Sequence, residues 1–82
     1  MKLTIYSKPD CPYCIKIKQI AEYLVNEKQY SAVSYELNVD FTKEQFYKEF
    51  GEGSTFPQVI LDDKYLGGCT DAVRYLQENK LL

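Results

Sequence analysis

The sequence predicts a single α/β domain of element order β-α-β-α-β-β-α, a four-stranded mixed sheet flanked by three helices. Three observations carry this. Short apolar-alternating runs and longer runs of helical period follow one another along the chain. A long helical run separates the first two strands, which makes them parallel. The last two strands are joined by a two-residue turn, which makes them antiparallel.

Lys2 to Ser7 (KLTIYS) alternates apolar and polar residues and reads as a strand broken at Pro9. From Pro12 the spacing changes: Ile17, Ile20, Ala21, Leu24 and Val25 recur at three and four residues, predicting a helix with one buried face to about Lys28. Pro12 suits its first turn, where a missing N–H costs nothing. Ser31 to Val39 reads as the second strand, through Val33, Tyr35, Leu37 and Val39. Thr42 and Gln45 then have capping-box spacing, Phe46 and Phe50 share a face, and Gly51 and Gly53 end the second helix. Gln58 to Asp62 and Lys64 to Gly67 flank a tight Asp62-Asp63 turn. After Gly67-Gly68, residues 70–80 form the last helix, with Ala72, Val73 and Leu76 inward. This order is that of the minimal thioredoxin fold. No linker or repeat interrupts residues 1–82, so one domain is expected, with any active site near its surface.

Composition narrows the function. The chain is 45% hydrophobic and 27% charged, with no apolar run near the ~18 residues of a membrane span. Met1 to Ser7 reads as a strand rather than a secretory leader, so a cytoplasmic protein is expected. A net charge of −2 argues against nucleic-acid binding. Its distribution is uneven: residues 1–20 carry Lys2, Lys8, Lys16 and Lys18 against Asp10 alone. Positive charge therefore gathers around the first cysteines.

Cysteines stand at positions 11, 14 and 69, and an odd count without a secretory signal does not suggest a disulfide scaffold. Cys-x-x-Cys leaves zinc or redox chemistry. Zinc needs at least three protein ligands, usually Cys and His, and the chain has no histidine and only one further cysteine. Redox exchange needs two sulfurs within bonding distance, which positions three apart on a helix provide. Cys11 lies just before the first helical turn, where free N–H groups and the helix dipole stabilise a thiolate. Cys14, one turn deeper, is shielded. Cys11 is thus expected to attack and Cys14 to resolve.

The dipole contributes about 0.3–2 kcal/mol, roughly one pKa unit or less; sulfur-accepted N–H bonds and Lys8 or Lys16 must supply the rest, against Asp10. A fall from ~8.5 to ~5 would raise the thiolate fraction at pH 7 about 30-fold while intrinsic nucleophilicity fell comparably. The advantage lies instead in making Cys11 a good leaving group when a second thiol attacks its mixed disulfide.

At this point the residues resemble the glutaredoxin family over nearly the full chain: IYSKPDCPYC (Ile5 to Cys14), TFPQV (Thr55 to Val59) and GGCTD (Gly67 to Asp71) stand in its order and spacing. Pro-Tyr between the cysteines is specific to its dithiol branch. The resemblance implies a glutathione-dependent thiol–disulfide oxidoreductase that reduces protein disulfides and glutathione mixed disulfides. Glutathione would be co-substrate, with no tightly bound cofactor and no metal. It further implies a cis Phe56-Pro57 peptide facing Cys11, with the Phe56 main chain pairing with the glutathione cysteine. Thr55 belongs to the same block. Thr70 and Asp71 would hold the γ-glutamyl end, although from sequence alone they also read as helix caps. Lys8 would meet the glycine carboxylate, although it equally reads as a solvated lysine, and Tyr13 would pack beside the mixed disulfide. Family members often add an Arg or Gln from the second helix to the carboxylate site; the matching position here holds Glu44, with Lys43 and Gln45 as substitutes. Cys69 reads mainly as a structural thiol, with a regulatory role as the alternative.

The resemblance implies a monomer acting on disulfide-bonded or glutathionylated proteins, ribonucleotide reductase among the candidates. Two rivals share the cysteine pair. One is a redoxin reduced by thioredoxin reductase, which the glutathione-contact blocks disfavour. The other is a glutathione-ligated iron–sulfur carrier, which Pro12 and Cys14 disfavour.

Overall fold

A computed structural model describes all 82 residues. Its elements are β1 (Lys2–Ser7), α1 (Pro12–Lys28), β2 (Ser31–Glu36), α2 (Lys43–Phe50), β3 (Gln58–Leu61), β4 (Lys64–Gly67) and α3 (Cys69–Glu78). The sheet runs β2-β1-β3-β4, with β1 parallel to β2 and antiparallel to β3, and β3 antiparallel to β4. This is the architecture expected from the sequence. No helix is long and apolar enough to cross a membrane.

The alternation of β1 divides the molecule into two packed layers. Leu3 and Ile5 join Val59 and Leu61 of β3 in an aliphatic core with Ile17, Ala21 and Leu24 of α1 and Ala72 and Leu76 of α3. Removing each such leucine, isoleucine or valine side chain from water stabilises the fold by about 1.5–3 kcal/mol. Tyr6 belongs to a second, aromatic layer, its ring 5.1 Å from Phe41 and 5.0 Å from Phe50. Phe46 of α2 lies 5.8 Å from Phe41 and 5.0 Å from Phe50 in the same layer.

The helix ends follow from local chemistry. Pro12 stands in the first turn of α1, and Gln29 ends the helix in the left-handed region at φ 59°. The α2 capping box is complete: Gln45 N–H donates to Thr42 Oγ1 at 3.1 Å, and Thr42 N–H donates to Gln45 Oε1 at 2.8 Å. Gly51, at φ 103°, ends α2 in a conformation that L side chains rarely adopt.

Several boundaries differ from expectation. The second strand stops at Glu36 rather than Val39, because Asp40 Oδ2 accepts the Glu36 N–H at 2.8 Å and Asn38 turns the chain at φ 65°. Val39 is consequently 81% exposed. Val25, expected on the buried face of α1, is exposed at its flank, and Val73 of α3 is only half-buried. β3 ends at Leu61 because Asp62, at φ 52°, begins the turn. The last helix starts at Cys69 and ends at Glu78, displaced towards the N-terminus from the expected 70–80.

A polar clamp ties the active-site end of α1 to the sheet. Ser7, wholly buried at the end of β1, donates to Glu36 Oε1 at 2.7 Å and to the Tyr35 carbonyl at 3.3 Å, while Lys18 Nζ donates to the same carboxylate. The Lys18 bond first, and Ser7 second, hold the Glu36 carboxyl below its ordinary value of 4.5. A depressed folded-state pKa gives stability that is present above the unfolded value and lost as pH falls through the folded one. The pair is partly solvated, so Glu36→Gln should lower stability by about 1 kcal/mol at pH 7. That deficit should shrink to nothing as pH falls from about 4.5 through the lowered value. Denaturation midpoints of both proteins between pH 7 and 3 measure it, and a deficit independent of pH would contradict an electrostatic clamp.

Candidate active site

The connection from β1 to α1 builds the cysteine site. Asp10, at φ 56°, turns the chain, and Cys11 takes extended N-cap geometry at φ −118° and ψ 103°. Pro12 follows in the first turn, and no acidic residue stands there. The Cys14 N–H donates to Cys11 Sγ at 3.2 Å, so the sulfur itself caps the helix. This is the N–H bond to sulfur expected from the motif, and it favours negative charge on Cys11. Cys11 and Cys14 are joined as a disulfide, with Cα atoms 5.2 Å apart, inside the usual range of about 4.4–6.8 Å.

Both sulfur residues are buried in this oxidised state: Cys11 is 6% exposed and Cys14 1%. The expected contrast between an open Cys11 and a shielded Cys14 is therefore small. The inserted Tyr13 is 59% exposed and lines the groove beside the pair.

Two adjoining grooves run past this corner. One, of about 450 Å³, is lined by Tyr13, by Thr55, Phe56 and Pro57, and by Gly67, Thr70 and Asp71. The other, of about 350 Å³, is lined by Lys8, Lys43, Tyr47 and again Thr55 and Phe56. Segment 53–56 is common to both and makes them one surface. The Phe56-Pro57 peptide is cis, as expected.

The α3 end of the surface is open for an anion. Its N-cap is Gly68, which has no side chain to bond the first-turn N–H groups. Thr70 and Asp71 consequently do not cap α3. The helix starts before them, at Cys69, and their alternative reading as caps is corrected by that register. Asp71 lies 3.5 Å from Arg74 Nη1 in an exposed pair. Gly67 makes room for it: a Cβ there would fall 3.1 Å from Asp71 Oδ2, and its φ of 94° favours glycine independently.

At the other end, α2 answers the question its sequence left open. Gln45 is committed to the capping box, and Glu44 does not line the groove; Lys43 does, with Tyr47 one turn on. No motif in the sequence marks Tyr47, and its four-residue spacing from Lys43 is the only signal that could have found it.

A family model described as Glutaredoxin matches residues 3–66. The chain belongs to the glutaredoxin family. It is 35% identical over 82 residues to glutaredoxin 1 of Salmonella typhimurium, covering 96% of this chain and 94% of that protein. The structure of reduced Escherichia coli glutaredoxin superposes with a TM-score of 0.83 at 28% identity, each chain covered in full. A buckwheat glutaredoxin–glutathione complex superposes with a TM-score of 0.67 at 26% identity, covering 96% of this chain and 71% of that one. As a glutaredoxin, the protein is a thiol–disulfide oxidoreductase with the Cys11/Cys14 pair.

Cys69 is the remaining thiol of this glutaredoxin. It is buried among the core residues, and burial pushes its pKa up despite opposition from Lys16. A raised thiol at the base of the groove fits packing better than exchange.

Proposed function

We propose that this glutaredoxin is glutathione-dependent, reducing glutathione mixed disulfides and protein disulfides with glutathione as its source of electrons. The observation that carries this is the continuous groove surface beside Tyr13, with lysines at one end and an uncapped helix start beside a carboxylate at the other. Glutathione has matching ends. Its glycine carboxylate suits Lys8 and Lys43; its γ-glutamyl carboxylate suits the Thr70 and Asp71 end of α3, and its ammonium suits the Asp71 side chain. Thr55, Phe56 and Pro57 lie between, where the extended tripeptide backbone would pair with the Phe56 main chain. The glutathione complex of the similar buckwheat protein supports the same reading.

Cys11 thiolate attacks the glutathione sulfur of a mixed disulfide. A Cys11–glutathione disulfide forms, and the substrate leaves as a thiolate that takes a proton from water. A second glutathione thiolate then attacks the glutathione sulfur bound to Cys11, releasing oxidised glutathione and Cys11 thiolate. For a protein disulfide, Cys14 attacks Cys11 of the protein–enzyme mixed disulfide, expels the second substrate thiolate and leaves Cys11–Cys14 oxidised, the state in the structure. Two glutathiones then reduce that bond. The N–H donated to Cys11 Sγ favours Cys11 as leaving group when glutathione attacks the glutathione sulfur of the Cys11–glutathione disulfide. Physiological substrates would be disulfide-bonded or glutathionylated proteins, ribonucleotide reductase among the candidates, met by a monomer in the cytoplasm.

Asp71→Asn tests the glutathione contact. Because Asp71 does not cap α3 and its pair with Arg74 is exposed, the melting temperature should hardly move. Loss of a charge-assisted contact worth about 1.4 kcal/mol should lower kcat/KM towards a glutathione mixed disulfide about 10-fold. Wild-type kinetics in Asp71→Asn would remove the γ-glutamyl contact from the proposal.

A further inference from the structure

We propose that the Phe56 side chain is a positioning residue, holding the Lys8 ammonium on its ring where the glycine carboxylate of glutathione binds. This rests on the glutathione reading above and adds to it a role for a ring, where that reading uses only the Phe56 main chain.

Lys8 Nζ lies 5.5 Å from the centroid of the Phe56 ring, within the range of about 6 Å in which an aromatic face attracts a cation. The Phe56 ring is itself fixed. It stacks on Phe46 with centroids 4.0 Å apart and planes 11° from parallel, and lies 6.2 Å and 19° from Phe41. A stack that close leaves no room for an ammonium between the rings, so Lys8 sits on the outward face of Phe56. Phe46 is buried beneath, on an α2 helix whose start is held by the Thr42–Gln45 capping box.

Lys8 needs such a support. Its side chain is exposed, it has no carboxylate partner among the ion pairs of the molecule, and it follows directly on the buried end of β1. A free lysine loses its rotamer freedom only when the ligand arrives, which weakens binding. Resting on Phe56, it stays beside Lys43 and Tyr47, and both Lys8 and Phe56 line that groove. An aliphatic side chain at position 56 would fill the space above Phe46 without offering a π face.

The test compares two substrates: the mixed disulfide of glutathione with a small thiol, and the same compound with its glycine carboxylate esterified. In the wild type, KM should be lower for the free acid. Phe56→Leu should narrow the wild-type preference for the free acid, raising KM for the acid about two- to fivefold more than KM for the ester. Phe56→Tyr should restore the acid's KM, and Phe56→Leu should have no further effect on that preference once Lys8→Met has been made. Equal KM increases for acid and ester, or an unchanged acid KM in Phe56→Leu while the wild type still distinguishes the two substrates, would overturn the positioning role and leave the glutathione site standing. A wild type that did not distinguish acid from ester would remove the carboxylate site and the positioning role together. A readout that needs no variant to fold is the proton spectrum of the reduced wild-type protein. The Lys8 ε-methylene protons should be shifted upfield by the Phe56 ring current, and random-coil shifts would overturn the contact.

Discussion

Cys11→Ser should abolish every exchange activity, while Cys14→Ser should keep turnover of glutathione mixed disulfides within about threefold of wild type and lose protein-disulfide reduction by at least about 100-fold. The asymmetry comes from the helix corner. Cys11 is the N-cap and its sulfur receives the Cys14 N–H, so it alone has a backbone donor for a thiolate that must serve first as nucleophile and then as leaving group. Serine there offers a hydroxyl that stays protonated at neutral pH. Cys14 is needed only when the partner on Cys11 is a protein, because it replaces a bimolecular attack by an intramolecular one, and effective molarities of well-oriented pairs reach about 10⁵ M or more. When the partner is glutathione, the proposed route has a second glutathione do the same work. Turnover of a small glutathione mixed disulfide and reduction of a disulfide-bonded protein, measured on both variants, separate the routes. A Cys14→Ser protein as inactive as Cys11→Ser towards glutathione mixed disulfides would contradict the two-route mechanism.

Much of this site is legible in the chain because it depends on local rules. Alternation in Lys2–Ser7, helical period after Pro12 and the Thr42–Gln45 pairing each carry their own structure, and Cys-Pro-Tyr-Cys falls at the junction they define. What misleads is the continuation of a pattern past its physical end. Leu37 and Val39 extend the alternation of β2, but Asp40 takes the Glu36 N–H and turns the chain outwards, so Val39 meets solvent. Thr70 looks like a cap because its hydroxyl precedes an apolar period, yet α3 begins with Cys69 after Gly68, an N-cap that has no side chain to bond the first turn.

The ends of the groove follow no local pattern because they are tertiary. Alternation shows that Tyr6 and Leu3 face opposite ways. It does not show that α2 covers the Tyr6 face, nor that Phe46 then lies under Phe56 and brings Lys43 and Tyr47 beside Lys8. Glu44, Lys43 and Gln45 are adjacent in sequence, and only the placement of α2 separates the one that lines the groove from the one that does not and the one that caps its own helix.

That dependence makes Phe46→Ala the substitution with the largest expected structural effect. Phe46 is 1% exposed and its ring meets Phe41, Tyr47, Phe50 and Phe56 at centroid distances of 5.8, 5.8, 5.0 and 4.0 Å. Truncating a buried phenylalanine to alanine costs about 3–5 kcal/mol, transfer and cavity together. A small domain has about 5–15 kcal/mol in all, so the loss is a large share of its stability. At about 4–8 °C per kcal/mol for a chain of this size, the melting temperature should fall by at least about 12 °C. Phe46→Leu keeps most of the volume and should cost markedly less. The damage should also be local in function: in the cold, where Phe46→Ala is still folded, Phe56 has lost the ring it rests on, and KM for the glutathione mixed disulfide should rise more than kcat falls. Thermal melts of the three proteins with kinetics at low temperature measure both effects. A fall of less than about 5 °C in Phe46→Ala would mean that the aromatic layer relaxes around the gap, and α2 would then be held by its cap and by the Tyr65 hydroxyl bonded to Glu49 rather than by its rings.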